Sequence, residues 1–229
     1  MDWVFIPPVA NSLAVVGTDA RFPVQRVFCV GRNYVEHAKE MGHTGREDPF
    51  FFCKSAHNLL AVDNSGESVM PYPTHTNNLQ HEVELVVALQ SGGSNLSVAE
   101  AVEAIYGYAV GLDMTRRDLQ AQAKDLGRPW EFGKSFDASA LIGPVYPNQQ
   151  LIDEGEIRLY VNDELRQQGN INQLIWPIAE AISFLSQYVT LVPGDLIMTG
   201  TPAGVSAVIP GDRMRAEIEG FEPIQVRIA

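Results

Sequence analysis

Glu82 and Glu84 flank Val83 at the head of an apolar run that continues through Leu85, Val86, Val87, Ala88 and Leu89. Extended backbone alternates its side chains. A strand here therefore points both carboxylates to one face and Val83, Leu85 and Val87 to the other, as core. Two like charges facing inward repel, and a divalent cation relieves that repulsion because hard cations take carboxylate oxygens. The same spacing also suits two acids facing water on an edge strand. Asp113 follows a second apolar run, Tyr106 to Leu112. Thr115 and Asp118 read as the capping pair of the next helix, which leaves Asp113 without a local task. It fits a metal site as a third carboxylate at a strand end, or it is simply a turn residue. No Cys/His cluster has zinc-ligand spacing, so an all-carboxylate set points to Mg²⁺ or Mn²⁺.

His37 and Glu40 lie three apart on a short helix predicted from Tyr34 to Met41, with Asn33 and Glu36 as its capping signature. A histidine oriented by a carboxylate is a general-base arrangement, and a surface helix pair has the same spacing. Arg117 and Gln120 share a face of the helix predicted from Thr115 to about Leu126. They are placed either to hold a substrate carboxylate or to face solvent. Lys134 sits between Phe132 and Phe136, where it either stabilises developing negative charge or snorkels at the surface. Thr201 occupies a tight turn, Gly200-Thr201-Pro202, whose role is anion binding or purely structural. His81 points away from Glu82 and reads as a satisfied core or interface histidine. Lys54 reads as a substrate contact or a surface charge. Cys29 and Cys53 lie in apolar runs and read as buried thiols.

The elements that must position these groups are short. The chain has 229 residues, 45% of them hydrophobic, with 19 Gly and 14 Pro. That length carries a full core without staples, and so many turn formers favour strands over a helical bundle. Apolar runs at 27–30, 50–53, 83–89, 106–112, 196–199, 213–218 and 223–228 predict strands. Asn162-Asp163 predicts a hairpin between 157–161 and 164–168. Helices are expected at 98–105, 115–126 and 175–188. With no repeat and no linker, the expectation is one mixed α/β, β-rich domain over 25–229, preceded by a segment 1–24 of no assigned role.

A net charge of −12, with no run of three Lys/Arg, argues against nucleic acid and anionic membrane as partners. No apolar run is long enough to span a bilayer, and Asp2 stands where a secretory signal would be basic. A cytoplasmic location is the expectation.

Taken in order, these motifs say more than any one alone. They are Gly31-Arg32-Asn33-Tyr34 with His37 and Glu40; His81-Glu82-Val83-Glu84; Leu112-Asp113-Met114-Thr115-Arg116-Arg117-Asp118; Lys134-Ser135-Phe136; Thr199-Gly200-Thr201-Pro202; and Pro210-Gly211-Asp212. The set resembles the fumarylacetoacetate hydrolase family, its small single-domain members in particular, from about residue 25 to the C-terminus. The resemblance implies a β-roll of mixed sheets with short flanking helices, and a homodimer. It implies Mg²⁺ or Mn²⁺ on Glu82, Glu84 and Asp113. His37 and Glu40 would act from a lid helix, with Lys134 as a further catalytic group. Arg32, Arg117, Gln120 and Thr201 would bind a 2-oxo acid substrate. Lys54-Ser55 departs from the Lys-Pro of many members.

The implied activity is hydrolysis of a carbon–carbon bond in an acylpyruvate. Oxaloacetate decarboxylation and oxo-acid isomerisation are the rivals on the same site. A non-catalytic metal- or metabolite-binding protein is the rival of another class.

Overall fold

The structure is a computed structural model that describes residues 3–6, 9–36, 47–63 and 67–229. Two mixed sheets dominate it. The larger has eight strands. Seven run in the order Phe50–Lys54, Val27–Gly31, Leu196–Met198, Val83–Leu89, Ile105–Asp113, Ala140–Ile142, Leu59–Ala61, and Tyr146–Pro147 pairs with Ile105–Asp113 beside that path. The smaller has five, in the order Glu164–Asn170, Glu156–Val161, Arg213–Ile218, Ile224–Ile228, Ser68–Met70. The β-rich mixed α/β class expected from the turn-former content is the one observed.

Both faces of the large sheet are covered. Val83, Leu85 and Val87 pack with Ile157, Leu159 and Met214 in the core between the sheets. Val86 and Ala88 join Cys29 and Met198 in a second core on the opposite face. Leu13, Val15, Phe22 and Val24 from the N-terminal segment close that second core. A strand buried on both faces reads as a continuous apolar run, which explains the composition of Val83–Leu89. Asn162 and Asp163 both take positive φ, 51° and 64°, as a two-residue hairpin turn of the primed kind requires.

Four local expectations are corrected. The helix expected from 175 to 188 is only Ile178–Leu185. The main-chain N–H groups of Ile175 and Trp176 are held by Asn33, which keeps the chain out of helix until Pro177. Thr115 does not cap the helix Arg117–Asp125, whose N-cap is Arg116 without a side-chain bond. Thr115 lies in a two-residue strand instead, and Asp118 accepts from Thr76 and from the N–H of Asn77. Cys53 is exposed, because its strand is an edge of the sheet. Asp113 is a strand residue rather than a turn residue. Among the described residues no helix is long and apolar enough to cross a membrane.

Candidate active site

Register brings the three carboxylates together. Glu84 pairs with Gly111 across the two central strands, and the N–H of Asp113 donates to the carbonyl of Glu82 at 2.8 Å. All three side chains therefore leave the same face at one end of the sheet. Glu82, Glu84 and Asp113 are 5%, 2% and 0% exposed, which overturns the alternative of solvent-facing acids on an edge strand. One oxygen from each lies within 4.8 Å of the others.

Cations from three separate elements surround this cluster. Lys134, at the end of the short helix Glu131–Lys134, places Nζ 2.7 Å from Glu82 Oε2 and 2.8 Å from Asp113 Oδ2. Its third hydrogen bond goes to the Thr115 hydroxyl at 2.8 Å. That contact is what removes Thr115 from capping. Arg117 reaches Glu82 Oε1 at 2.5 Å from the first turn of its helix. Lys54 Nζ lies 2.7 Å from Asp113 Oδ1 and also donates to the carbonyls of Met114 and Lys134. Lys54 is thus neither a surface charge nor a pocket residue, but a fully buried counter-ion. Lys134 is likewise buried and does not snorkel.

Burial depresses the Lys134 ammonium, yet Asp113 and Glu82 outweigh it and hold its pKa above the ordinary value. Glu84 is different. Among the described residues its hydrogen-bond donor is the N–H of Gly200 at 2.8 Å. Burial first, then the charges of Asp113 and Glu82, push its carboxyl pKa well above the usual range. The donor set is all hard oxygen, and among the described residues no cation is paired with Glu84. A divalent ion of the Mg²⁺ or Mn²⁺ class fits both conditions.

The same pocket is lined by Arg32, Arg117, Gln120, Lys134 and Thr201, with Phe52 and Trp130 as aromatic walls. Arg117 donates to Gln120 Oε1 at 2.6 Å and to Gln80 at 2.7 Å. The Arg32 guanidinium stacks over Phe50, with its Nε buried and unpaired among the described residues. Arg116 faces away, over the Phe136 ring, into a different pocket with His75 and Arg128. His37 and Glu40 lie outside the described residues.

Sequence reasoning overlooked two residues. Asn33 bonds the carbonyl of Thr199 at 2.8 Å and both main-chain groups of Trp176, and so clamps the turn that carries Gly200 and Thr201. A Cβ at Gly200 would lie 2.7 Å from Asn33, and its φ is +103°, so glycine is required there. Gln167, buried on the smaller sheet, bonds Thr201. Asn33 stands in the motif, but its clamp on the distant turn has no local signal, and neither does Gln167. His81 is fully buried between Gln167 and Ser206, as a satisfied core histidine, and burial lowers its pKa to about 4.

The fumarylacetoacetate hydrolase C-terminal family model matches residues 26–229. The chain belongs to this family. Among its relatives, a fumarylpyruvate hydrolase of Ralstonia sp is 44% identical over 183 residues, 80% of this chain and 93% of that protein. A mitochondrial oxaloacetate tautomerase of Rattus norvegicus is 40% identical over 206 residues, 89% of this chain and 91% of that protein. Among solved structures, a fumarylpyruvate hydrolase from Pseudomonas aeruginosa in complex with Mn²⁺ and pyruvate superposes with a TM-score of 0.97. It is 48% identical, and the match covers 100% of this chain and 99% of that one. The β-roll expected for the family is therefore the fold of this chain.

Proposed function

We propose that this protein hydrolyses the carbon–carbon bond of an acylpyruvate, a fumarylpyruvate-like 2,4-dioxo acid, to release pyruvate and a carboxylic acid. The observation that carries this reading is the buried Glu82–Glu84–Asp113 cluster opening onto a pocket lined by Lys134, Arg117, Gln120 and Thr201. Likeness to two fumarylpyruvate hydrolases supports it.

In this reading the three carboxylates hold Mg²⁺ or Mn²⁺. When bound, the ion supplies Lewis-acid stabilisation of the negative charge that develops as pyruvate leaves. Arg117 and Gln120, already bonded to each other, position the substrate carboxylate. Thr201 donates to an oxygen of the same carboxylate. His37, oriented by Glu40, takes the proton of the attacking water. Lys134 uses all three of its hydrogens inside the cluster. It therefore exchanges one of those bonds to support a substrate oxyanion. Of Arg32, Arg116 and Lys54, Arg32 lines this pocket, so it is assigned the distal carboxylate of a fumaryl tail. The catalytic residues lie within 25–229, the N-terminal segment completes the core beneath them, and the protein acts as a cytoplasmic homodimer.

Oxaloacetate chemistry is the second reading, favoured by likeness to an oxaloacetate tautomerase. A side-by-side assay separates the two. Fumarylpyruvate, acetylpyruvate and oxaloacetate are followed by ultraviolet loss and pyruvate release, with Mg²⁺ and then with EDTA. Metal-dependent pyruvate release from the acylpyruvates is expected. Turnover of oxaloacetate alone overturns the hydrolase reading.

A further inference from the structure

We propose that Gln167 is a positioning residue that turns the Thr201 hydroxyl into a fixed hydrogen-bond donor facing the pocket. This rests on the reading above, in which Thr201 meets a substrate carboxylate.

Gln167 belongs to the strand Glu164–Asn170 of the smaller sheet, and its side chain crosses to the end of the larger one. It is 0% exposed. Its Oε1 accepts from the N–H of Val83 at 3.1 Å, and its Nε2 donates to the carbonyl of Pro202 at 2.8 Å. A main-chain N–H can only donate and a carbonyl can only accept. The two therefore fix which end of the amide is oxygen and which is nitrogen. The second hydrogen on Nε2 goes to Thr201 Oγ1 at 2.8 Å, and Oε1 also lies 2.8 Å from His81 Nδ1. All four hydrogen-bonding positions of the amide are engaged.

The consequence falls on Thr201. Its oxygen already accepts from Gln167, so its single hydrogen must point elsewhere. Among the described residues no group accepts that hydrogen, while Thr201 lines the pocket beside the carboxylate cluster. A hydroxyl free to rotate offers either polarity to a ligand. Here Gln167 removes the choice, and the pocket presents a donor. A carboxylate or carbonyl oxygen matches it, and an N–H does not. The arrangement is braced by close contact between strand and loop. A Cβ on Gly169 would lie 2.7 Å from Pro202, and one on Gly204 only 2.1 Å from the Arg166 carbonyl oxygen.

The test uses pyruvate as the probe on the Mn²⁺-loaded full chain, by calorimetry, with Mn²⁺ affinity measured separately. Thr201→Val and Gln167→Leu should each weaken pyruvate binding about tenfold or more, the scale of a hydrogen bond to a charged acceptor. The double variant should be no worse than Thr201→Val alone, and Mn²⁺ affinity should stay within about twofold of wild type. Gln167→Glu, which keeps the shape but accepts the Thr201 hydrogen, should reproduce the loss, and it replaces Gln167→Leu if that variant fails to fold. Losses that add in the double variant, or a parallel fall in Mn²⁺ affinity, would reduce Gln167 to scaffold and overturn the proposal. Wild-type pyruvate affinity in Thr201→Val would overturn the underlying contact itself, which is a separate failure.

Discussion

Replacing Lys54 by Met tests the charge balance of the site. The side chains of Lys54 and Asp113 are 0% and 1% exposed, and their charged atoms lie 2.7 Å apart. Methionine keeps the volume but leaves Asp113 Oδ1 buried without its cation, and two main-chain carbonyls lose a donor. Breaking one side of a buried pair costs about 3–5 kcal/mol, because the remaining charge stays desolvated. For 229 residues, at about 2.1 cal/mol/K each, the unfolding entropy is about 0.5 kcal/mol/K, so the midpoint should fall by about 6–10 °C. Thermal unfolding in EDTA, followed by circular dichroism, reads this directly. Adding Mn²⁺ should then stabilise the variant at least as much as wild type, since the ion returns positive charge to the cluster. A midpoint within about 2 °C of wild type, on the same entropy scale, would refute the pairing and place Lys54 in contact with water.

Metal affinity should depend on pH through Glu84. Its carboxyl pKa is raised by burial and by its acidic neighbours, so proton and ion compete for it. Below that raised value Mn²⁺ binding should tighten as pH rises, by up to about tenfold per pH unit, and an affinity that stays flat as the solution is acidified would refute it. His81 should make the protein acid-sensitive. Its pKa is about 4 in the fold against 6.5 ordinarily. Between those values the unfolded chain holds the proton and the native chain does not. Stability is therefore full above the higher value and falls as pH drops towards the lower one, by about 3 kcal/mol in all. Urea midpoints of His81→Gln should flatten over that window, and a slope equal to wild type would remove His81 as the cause. His37→Ala should lose roughly 10²- to 10⁴-fold in acylpyruvate hydrolysis, while oxaloacetate conversion, which needs no activated water, persists. A loss under about tenfold counts against the His37–Glu40 pair.

Much of this was legible locally. The two-residue period at Glu82 and Glu84 put both carboxylates on one face, because strand alternation is a property of neighbouring residues. The Asn162-Asp163 turn, the paired apolar runs and the β-rich class follow from the same short-range rules. Where the sequence misled, a distant partner had overridden a local preference. Thr115 looked like a cap, but Lys134 takes its hydroxyl as a third acceptor. Cys53 looked buried, but sheet order leaves its strand at an edge. Asn33 holds Trp176 and Thr199 through its amide, a reach across the fold that its neighbours do not announce. The local readings of Lys54 did not include a buried counter-ion, and Gln167 carried no local signal, since neither neighbour nor spacing says what faces a side chain across a sheet or between two sheets. Residue type and period determined which groups lie side by side along one strand. Only tertiary packing decided that three acids would meet three cations in one buried cluster, because ion pairing and desolvation depend on where distant strands and helices come to rest.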